Sequence, residues 1–181
     1  MKEHPILFSA PMVRAILAGT KTQTRRVVKP TPEWIGKSGV LSFNGRVGLP
    51  HAICPYGQPG DRLWVREAWN GYGPFKDGMH YYYRATDQNP DSTKWKPSIH
   101  MPRAASRITL EITGVRVERL QDISEADAKA EGYKEFPGSV NQMDPVTWYQ
   151  ALWEQINGPG AWDANPWVWV VKFKRLEGGG A

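Results

Sequence analysis

Residues 19–26 read Gly19-Thr20-Lys21-Thr22-Gln23-Thr24-Arg25-Arg26, three cations and three threonines within eight positions. Amine, hydroxyl and guanidinium groups at this density suit a segment that holds something anionic, carbonyl-like or nucleic-acid-like. The same residues also suit a basic loop leading into a solvated edge strand, and residue type alone leaves both readings open. Two acids elsewhere sit against the local rules. Glu67 falls on the apolar face of an alternating run, with Leu63, Val65 and Trp69. A carboxylate there must pair or stay protonated. A core ion pair with Arg25 or Arg26 fits, and so does a functional role orienting Lys21 or Arg26. Glu131 falls in the last turn of a short helical pattern, where the macrodipole disfavours an anion by about 0.3–1 kcal/mol.

The charge distribution narrows the choice. Of the formal net charge of +5, all is contributed by residues 1–29, where Lys2, Arg14, Lys21, Arg25, Arg26 and Lys29 face one acid, Glu3. The remainder carries 17 residues of each sign. A localised excess predicts a small site for a phosphate-bearing or otherwise anionic partner rather than a long nucleic-acid track. Metal chemistry finds no support in the spacing, because His4, His51, His80 and His100 are scattered and Cys54 is alone. The site is therefore expected to work without a metal or cofactor. A single cysteine fits a reducing compartment. No apolar run approaches the roughly 18 residues of a membrane span, and the start lacks the apolar core of a signal peptide. The expectation is a cytoplasmic protein, monomer or homodimer, with no membrane partner.

Several elements must position these residues. Pro5 to Phe8 predicts a short strand. Ser9 as N-cap, an apolar stripe of Met12, Val13, Ile16 and Leu17, and Gly19 as the positive-φ residue after the helix predict a short helix with a sharp stop. Lys21 and Thr24 then leave a defined corner, and Thr22 to Val28 predicts the next strand. Residues 30–61 read as a loop insertion with a short hairpin around Val40 to Val47. Strands are expected over Arg62 to Trp69, Met79 to Thr86, Arg107 to Leu120 and Asn165 to Phe173, with a turn-rich connection over Asn70 to Gly78. Alternation in the longest strand changes parity at Gly114, which predicts a β-bulge. Ser124 caps a helix from Glu125 to Glu131, stopped by Gly132. Asp144-Pro145 opens a second helix whose buried stripe is Val146, Tyr149, Trp153 and Ile156. The fold expected is α+β: one domain over 1–176, a small, curved, mostly antiparallel barrel with a few short helices, and a disordered tail at 177–181.

The combination of motifs resembles a known family. Gly19-x-Lys21-x-x-Thr24-x-Arg26 following Phe8-Ser9-x-Pro11-Met12 is similar to the signature of the ASCH domain family, in the PUA-like superfamily. The likeness continues through Gly60-Asp61-x-Leu63-Trp64-Val65-Arg66-Glu67, Met101-Pro102-Arg103 and Ser124-Glu125-x-Asp127-Ala128-x-x-Glu131-Gly132. It closes with Asn165-Pro166-Trp167-Val168-Trp169-Val170, so it covers nearly the whole chain. The chain looks most like the longer, tryptophan-rich ASCH proteins of bacteriophages and prophages, and Ala104 departs from the aromatic residue expected there. The resemblance implies a PUA-like pseudo-barrel with a cleft beside the Lys21 segment. It also implies one of three activities: RNA or nucleotide binding, a ribonuclease, or an amidohydrolase that removes acyl groups from N4-acylated cytidine. For the last, the resemblance implies Lys21, Thr24 and Glu131 as catalytic residues; Gly19, Arg26 and Glu67 are expected in substrate binding. Thr24 would then be the nucleophile and a neutral Lys21 the amine that takes its proton. The expected ligand is a small modified nucleoside, with RNA held weakly if at all.

Overall fold

The computed structural model describes residues 1–29, 32, 34–35, 40–43, 46–76, 78–87, 94–135 and 143–177. In chain order the elements are β1 (Glu3–Leu7), α1 (Ala10–Leu17), β2 (Gln23–Val27), β3 (Trp34–Ile35), β4 (Leu41–Phe43), β5 (Arg46–Gly48) and α2 (Pro50–Ile53). There follow β6 (Arg62–Arg66), β7 (Trp69–Phe75), β8 (Gly78–Tyr83), β9 (Thr109–Arg119), α3 (Glu125–Ala130), α4 (Pro145–Asn157) and β10 (Trp167–Arg175). This is a mixed α+β fold, as expected. The main sheet has the order β1-β6-β9-β10-β2, antiparallel except for the parallel pair β1–β6. In the described pairings β1 and β2 are its open edges. No described helix is long and apolar enough to cross a membrane.

Period-two alternation in β10 divides the interior in two. Trp169, Val171 and Phe173 face a core with Phe8, Val13, Ile16, Leu63 and Leu110, which α1 helps to cover. Val168 and Val170 face a second core with Ala128, Tyr149, Trp153 and Trp162, supplied by α3, α4 and the turn before β10. The bulge decides which residues of β9 meet which core. Lys172 pairs with Gly114 and Phe173 with Ile112, so Thr113 is left without a partner and the parity changes there. Leu110 and Ile112 before it, and Val115 and Val117 after it, all pack into the α1 core. Arg116 and Glu118 are thereby turned toward α3.

The structure corrects several sequence expectations. Asn70 to Gly78 is not a turn-rich connection: Trp69 to Phe75 pairs with the tyrosine strand, and Trp69 packs on Tyr81 with ring centroids 5.9 Å apart. Cross-strand aromatic packing outweighs the glycine and proline signals there. The preceding strand ends at Arg66, so Glu67 stands in the break between β6 and β7. Ser9 occupies the N-cap position of α1 without a side-chain bond, whereas Ser124 and Asp144 do cap α3 and α4. The buried stripe of α4 is Pro145, Tyr149 and Trp153; Ile156 is exposed. The hairpin expected near Val40 to Val47 is present as β4 and β5, while α2 was not foreseen. Parts of the 30–61 insertion and the tail from residue 178 lie outside the described residues.

Candidate functional site

Gly19 has φ of +75° and sits just past α1, where its N–H donates to the Ile16 carbonyl at 3.1 Å. Only a residue at ease with positive φ turns the chain there. The Lys21 N–H then donates to Ala15, and the Thr22 N–H donates to the Ala130 carbonyl at 2.9 Å. Lys21 is therefore bridged, backbone to backbone, to Glu131. Gly132 completes the junction with φ of +106°. A Cβ there would stand 3.0 Å from the Ala15 Cβ and 3.3 Å from that of Lys21. The corner after α1 and the end of α3 are thus locked together, and the two side chains of opposite charge meet.

Their geometry is tight. Lys21 Nζ donates to Glu131 Oε2 at 2.7 Å and to the Glu131 carbonyl at 2.9 Å, with both side chains almost fully buried. Arg25 Nη1 donates to the other carboxylate oxygen, Oε1, at 3.0 Å. Arg25 Nη2 reaches Glu118 at 2.6 Å and Asp127 at 3.3 Å, and Arg116 closes the cluster by donating to both acids at 2.7 Å. The register explains this. Arg25 and Arg116 flank the same residue, Val170, across three strands, so they share a face. Asp127 in the first turn of α3 and Glu131, its C-cap residue, lie four apart, so one helical turn lays both acids over that face.

Burial lowers the Lys21 ammonium below its ordinary value, opposed by Glu131 and assisted by Arg26 and Arg25. Burial likewise raises the Tyr149 phenol, with Glu131 adding to the effect. Tyr149 is thus neutral at ordinary pH, and its ring lies 5.7 Å from the Arg25 guanidinium.

Beside this cluster is a cleft with two compartments. Parity in β2 is fixed by Phe173 donating to Thr22 and Val28 donating to Trp167. The even residues are hydrogen-bonded to β10, so the backbone of Gln23, Arg25 and Val27 turns to the open edge. There a small cavity of about 80 Å³ is lined by Thr24, Arg25, Arg26, Val27, Glu131 and Tyr149, among others. A larger one of about 390 Å³ runs between α1 and α4. Met12, Glu131, Leu152 and Ile156 border both.

Of the residues singled out in the sequence, Lys21, Thr24, Arg26 and Glu131 come together here. The Arg26 guanidinium lies 5.4 Å from the Phe8 ring centre and donates to the Leu7 carbonyl at 2.6 Å. The Lys21 ammonium approaches the same ring at 5.9 Å. Two residues do not join them. Gly19 forms the corner but borders a separate surface groove with Thr20, Thr22 and Lys129. Glu67 pairs with Arg107, through Nε at 3.0 Å and Nη2 at 3.1 Å, and not with Lys21, Arg25 or Arg26. The basic excess of the first 29 residues is also partly internal, because Lys21 and Arg25 are buried against acids. Glu118, Asp127, Arg116 and α4 belong to the site without being expected there from the sequence. The spacing of Asp127 and Glu131, and of Arg116 and Glu118, was the available signal.

Among solved structures, this chain is similar to an ASCH domain from Lactobacillus crispatus JV V101, with a TM-score of 0.44 and 16% identity over 96% of this chain and 79% of that one. No family model and no curated protein matches the chain.

Proposed function

We propose that this is an ASCH-type domain acting as a metal-free amidohydrolase on N4-acylated cytidine or cytosine-type nucleosides. The observation that carries the reading is the buried 2.7 Å Lys21–Glu131 pair beside a cleft lined by Thr24. Burial lowers the Lys21 amine below its ordinary value, the direction that nucleophilic catalysis requires. Thr24 Oγ attacks the acyl carbonyl while Lys21 Nζ takes its proton. The oxyanion is met by Arg26 and by backbone N–H groups on the open edge of β2. Collapse breaks the carbonyl–N4 bond, and the leaving amine takes the proton from Lys21. Water, activated by the same amine, then frees the acid from the Thr24 ester. Glu131, held by Arg25 at its other oxygen, fixes the Lys21 amine in place and lends it a proton acceptor during the cycle. Incubation of purified protein with a panel of N4-acylcytidines, followed by ultraviolet absorbance in the presence of a chelator, tests this. Loss of the acyl chromophore is expected; no turnover of any member would overturn the reading.

One observation favours a second reading, a module that holds single-stranded RNA. The β7–β8 hairpin exposes Tyr72 and Phe75, whose rings pack tilted at 50° with centroids 5.2 Å apart, and Phe75 also meets the His80 ring edge-on at 5.2 Å. Exposed aromatic faces of this kind accept bases without sequence preference. Submicromolar, steeply salt-dependent RNA affinity with no hydrolysis would select it.

A further inference from the structure

The two compartments of the cleft differ in chemistry. The smaller shares Met12, Leu152 and Ile156 with the larger and adds Arg25, Arg26 and the rings of Tyr149 and Trp153. The added guanidinium groups and flat rings suit a polar, planar base. The larger, about 390 Å³, is walled by Pro11, Met12, Ala15, Trp148, Leu152 and Ile156. Trp148, Leu152 and Ile156 recur every fourth residue along one stripe of α4, opposite the α1 wall. Glu131 stands at the boundary between the two spaces, with Thr24 on the small side.

We propose that the larger compartment is the acyl pocket, and that the preferred substrates carry a bulky apolar acyl group, of hexanoyl or benzoyl class, rather than acetyl. The inference rests on the amidohydrolase reading, because it is the position of Thr24 and Glu131 that makes one side of the boundary the base side and the other the acyl side. An acetyl group would leave most of the apolar wall facing water, whereas a six-carbon chain covers it. Each added methylene buried there is worth about 0.8 kcal/mol, close to fourfold in kcat/KM.

The test has two arms. In the first, kcat/KM is measured for N4-acetyl-, N4-butanoyl-, N4-hexanoyl- and N4-benzoylcytidine. A rise of roughly tenfold or more from acetyl to hexanoyl is expected. Gln155→Trp narrows the compartment from an exposed position that borders only that space, so the fold is not at risk. It should lower the hexanoyl-to-acetyl ratio by about tenfold. In the second arm, hexanamide binding is measured by calorimetry, which needs no turnover. Wild-type binding that Gln155→Trp weakens supports the pocket. Turnover that is indifferent to acyl length, with no hexanamide binding, overturns the pocket and leaves the hydrolase standing. Hexanamide binding sensitive to Gln155→Trp without hydrolysis of any acylcytidine upholds an apolar amide pocket and overturns the hydrolase. Neither binding nor hydrolysis overturns both.

Discussion

Glu131 and Glu67 are both buried glutamates, both held by an arginine, and they are held differently. Glu67 receives two parallel bonds from Arg107, whose guanidinium also stacks 3.9 Å from the Tyr83 ring centre and donates to Thr86. Among the described residues its side-chain donor is a single planar fork, and the pair ties the break after β6 to the start of β9. Glu131 instead divides its two oxygens between a lysine and an arginine and borders an open cleft. The difference is in the partner. A guanidinium cannot give up its proton at working pH, so Glu67–Arg107 is a fixed staple. A buried ammonium can, so the Lys21–Glu131 pair has the chemistry to pass a proton. Burial of an acid is therefore a poor guide to function by itself; what the acid is bonded to and whether it meets a cavity decide.

The largest effects should fall on the Glu131 side. Thr24→Val keeps a β-branched residue on the edge strand and removes only the hydroxyl. Lys21→Met removes the amine while leaving Glu131 its Arg25 bond. Each should lower kcat/KM on an accepted acylcytidine by on the order of a thousandfold or more, with melting temperatures shifted by only a few degrees. Retention of most of the wild-type rate by both would show that the cleft chemistry lies elsewhere.

The conservative exchange of each acid then separates the two roles. Glu131→Gln leaves Lys21 and Arg25 buried against a neutral amide, which should cost about 3–5 kcal/mol in urea unfolding and abolish turnover. Glu67→Gln leaves Arg107, part of whose side chain reaches water, and should cost only about 1–3 kcal/mol. Activity should stay within about twofold of wild type. Burial, only partly offset by Arg107, raises the folded Glu67 carboxyl above its ordinary 4.5. Its contribution to stability is therefore present below 4.5 and lost as pH rises through the folded value, and Glu67→Gln should remove that slope. An inactive but fully stable Glu67→Gln would erase the contrast.

How much of this was legible beforehand depended on whether the signal was local. The corner at Gly19, the caps at Ser124 and Asp144, the bulge at Gly114 and the two faces of β10 follow from conformational preference and period-two alternation, and the structure reproduces them. The meeting of Lys21 with Glu131 was read from motif resemblance, not from spacing. It depends on a single backbone bridge between segments 110 residues apart. The partner of Glu67 was missed for the same reason. Its alternation correctly put it inside, but its meeting with Arg107 depends on how the break after β6 lies against the residues just before β9. Strand β7 was missed because its glycines and proline speak locally, while its tyrosine partners speak across the hairpin.

Acid titration sharpens the contrast on a finer scale. If Lys21 acts as the neutral amine, kcat/KM should fall along a single limb as pH drops, with a midpoint below lysine's ordinary 10.5. Arg26 pushes the Lys21 amine in the same direction as burial does. Arg26→Met removes that push, so the limb should move to higher pH even after the general loss in rate is normalised. Glu67→Gln should leave the limb where it is. A limb that ignores Arg26 would mean that another group titrates.

The smallest expected effect concerns how each acid is held in place. Glu131 depends on α3, a helix of six residues whose first turn is capped by Ser124 Oγ accepting from the Asp127 N–H at 3.1 Å. Ser124→Ala should cost about 1 kcal/mol, nearly all of it in that helix. The Thr22 N–H donates to Ala130 within α3, so its exchange with solvent reports the helix directly. It should exchange about fivefold faster in the variant, the factor that 1 kcal/mol sets for a local opening. The Trp69 N–H donates to Lys96 two residues beyond Glu67 and shares nothing with α3. Its exchange should not change. Equal acceleration at both amides would mean that the cap acts on the whole fold, and that the two carboxylate sites open together rather than separately.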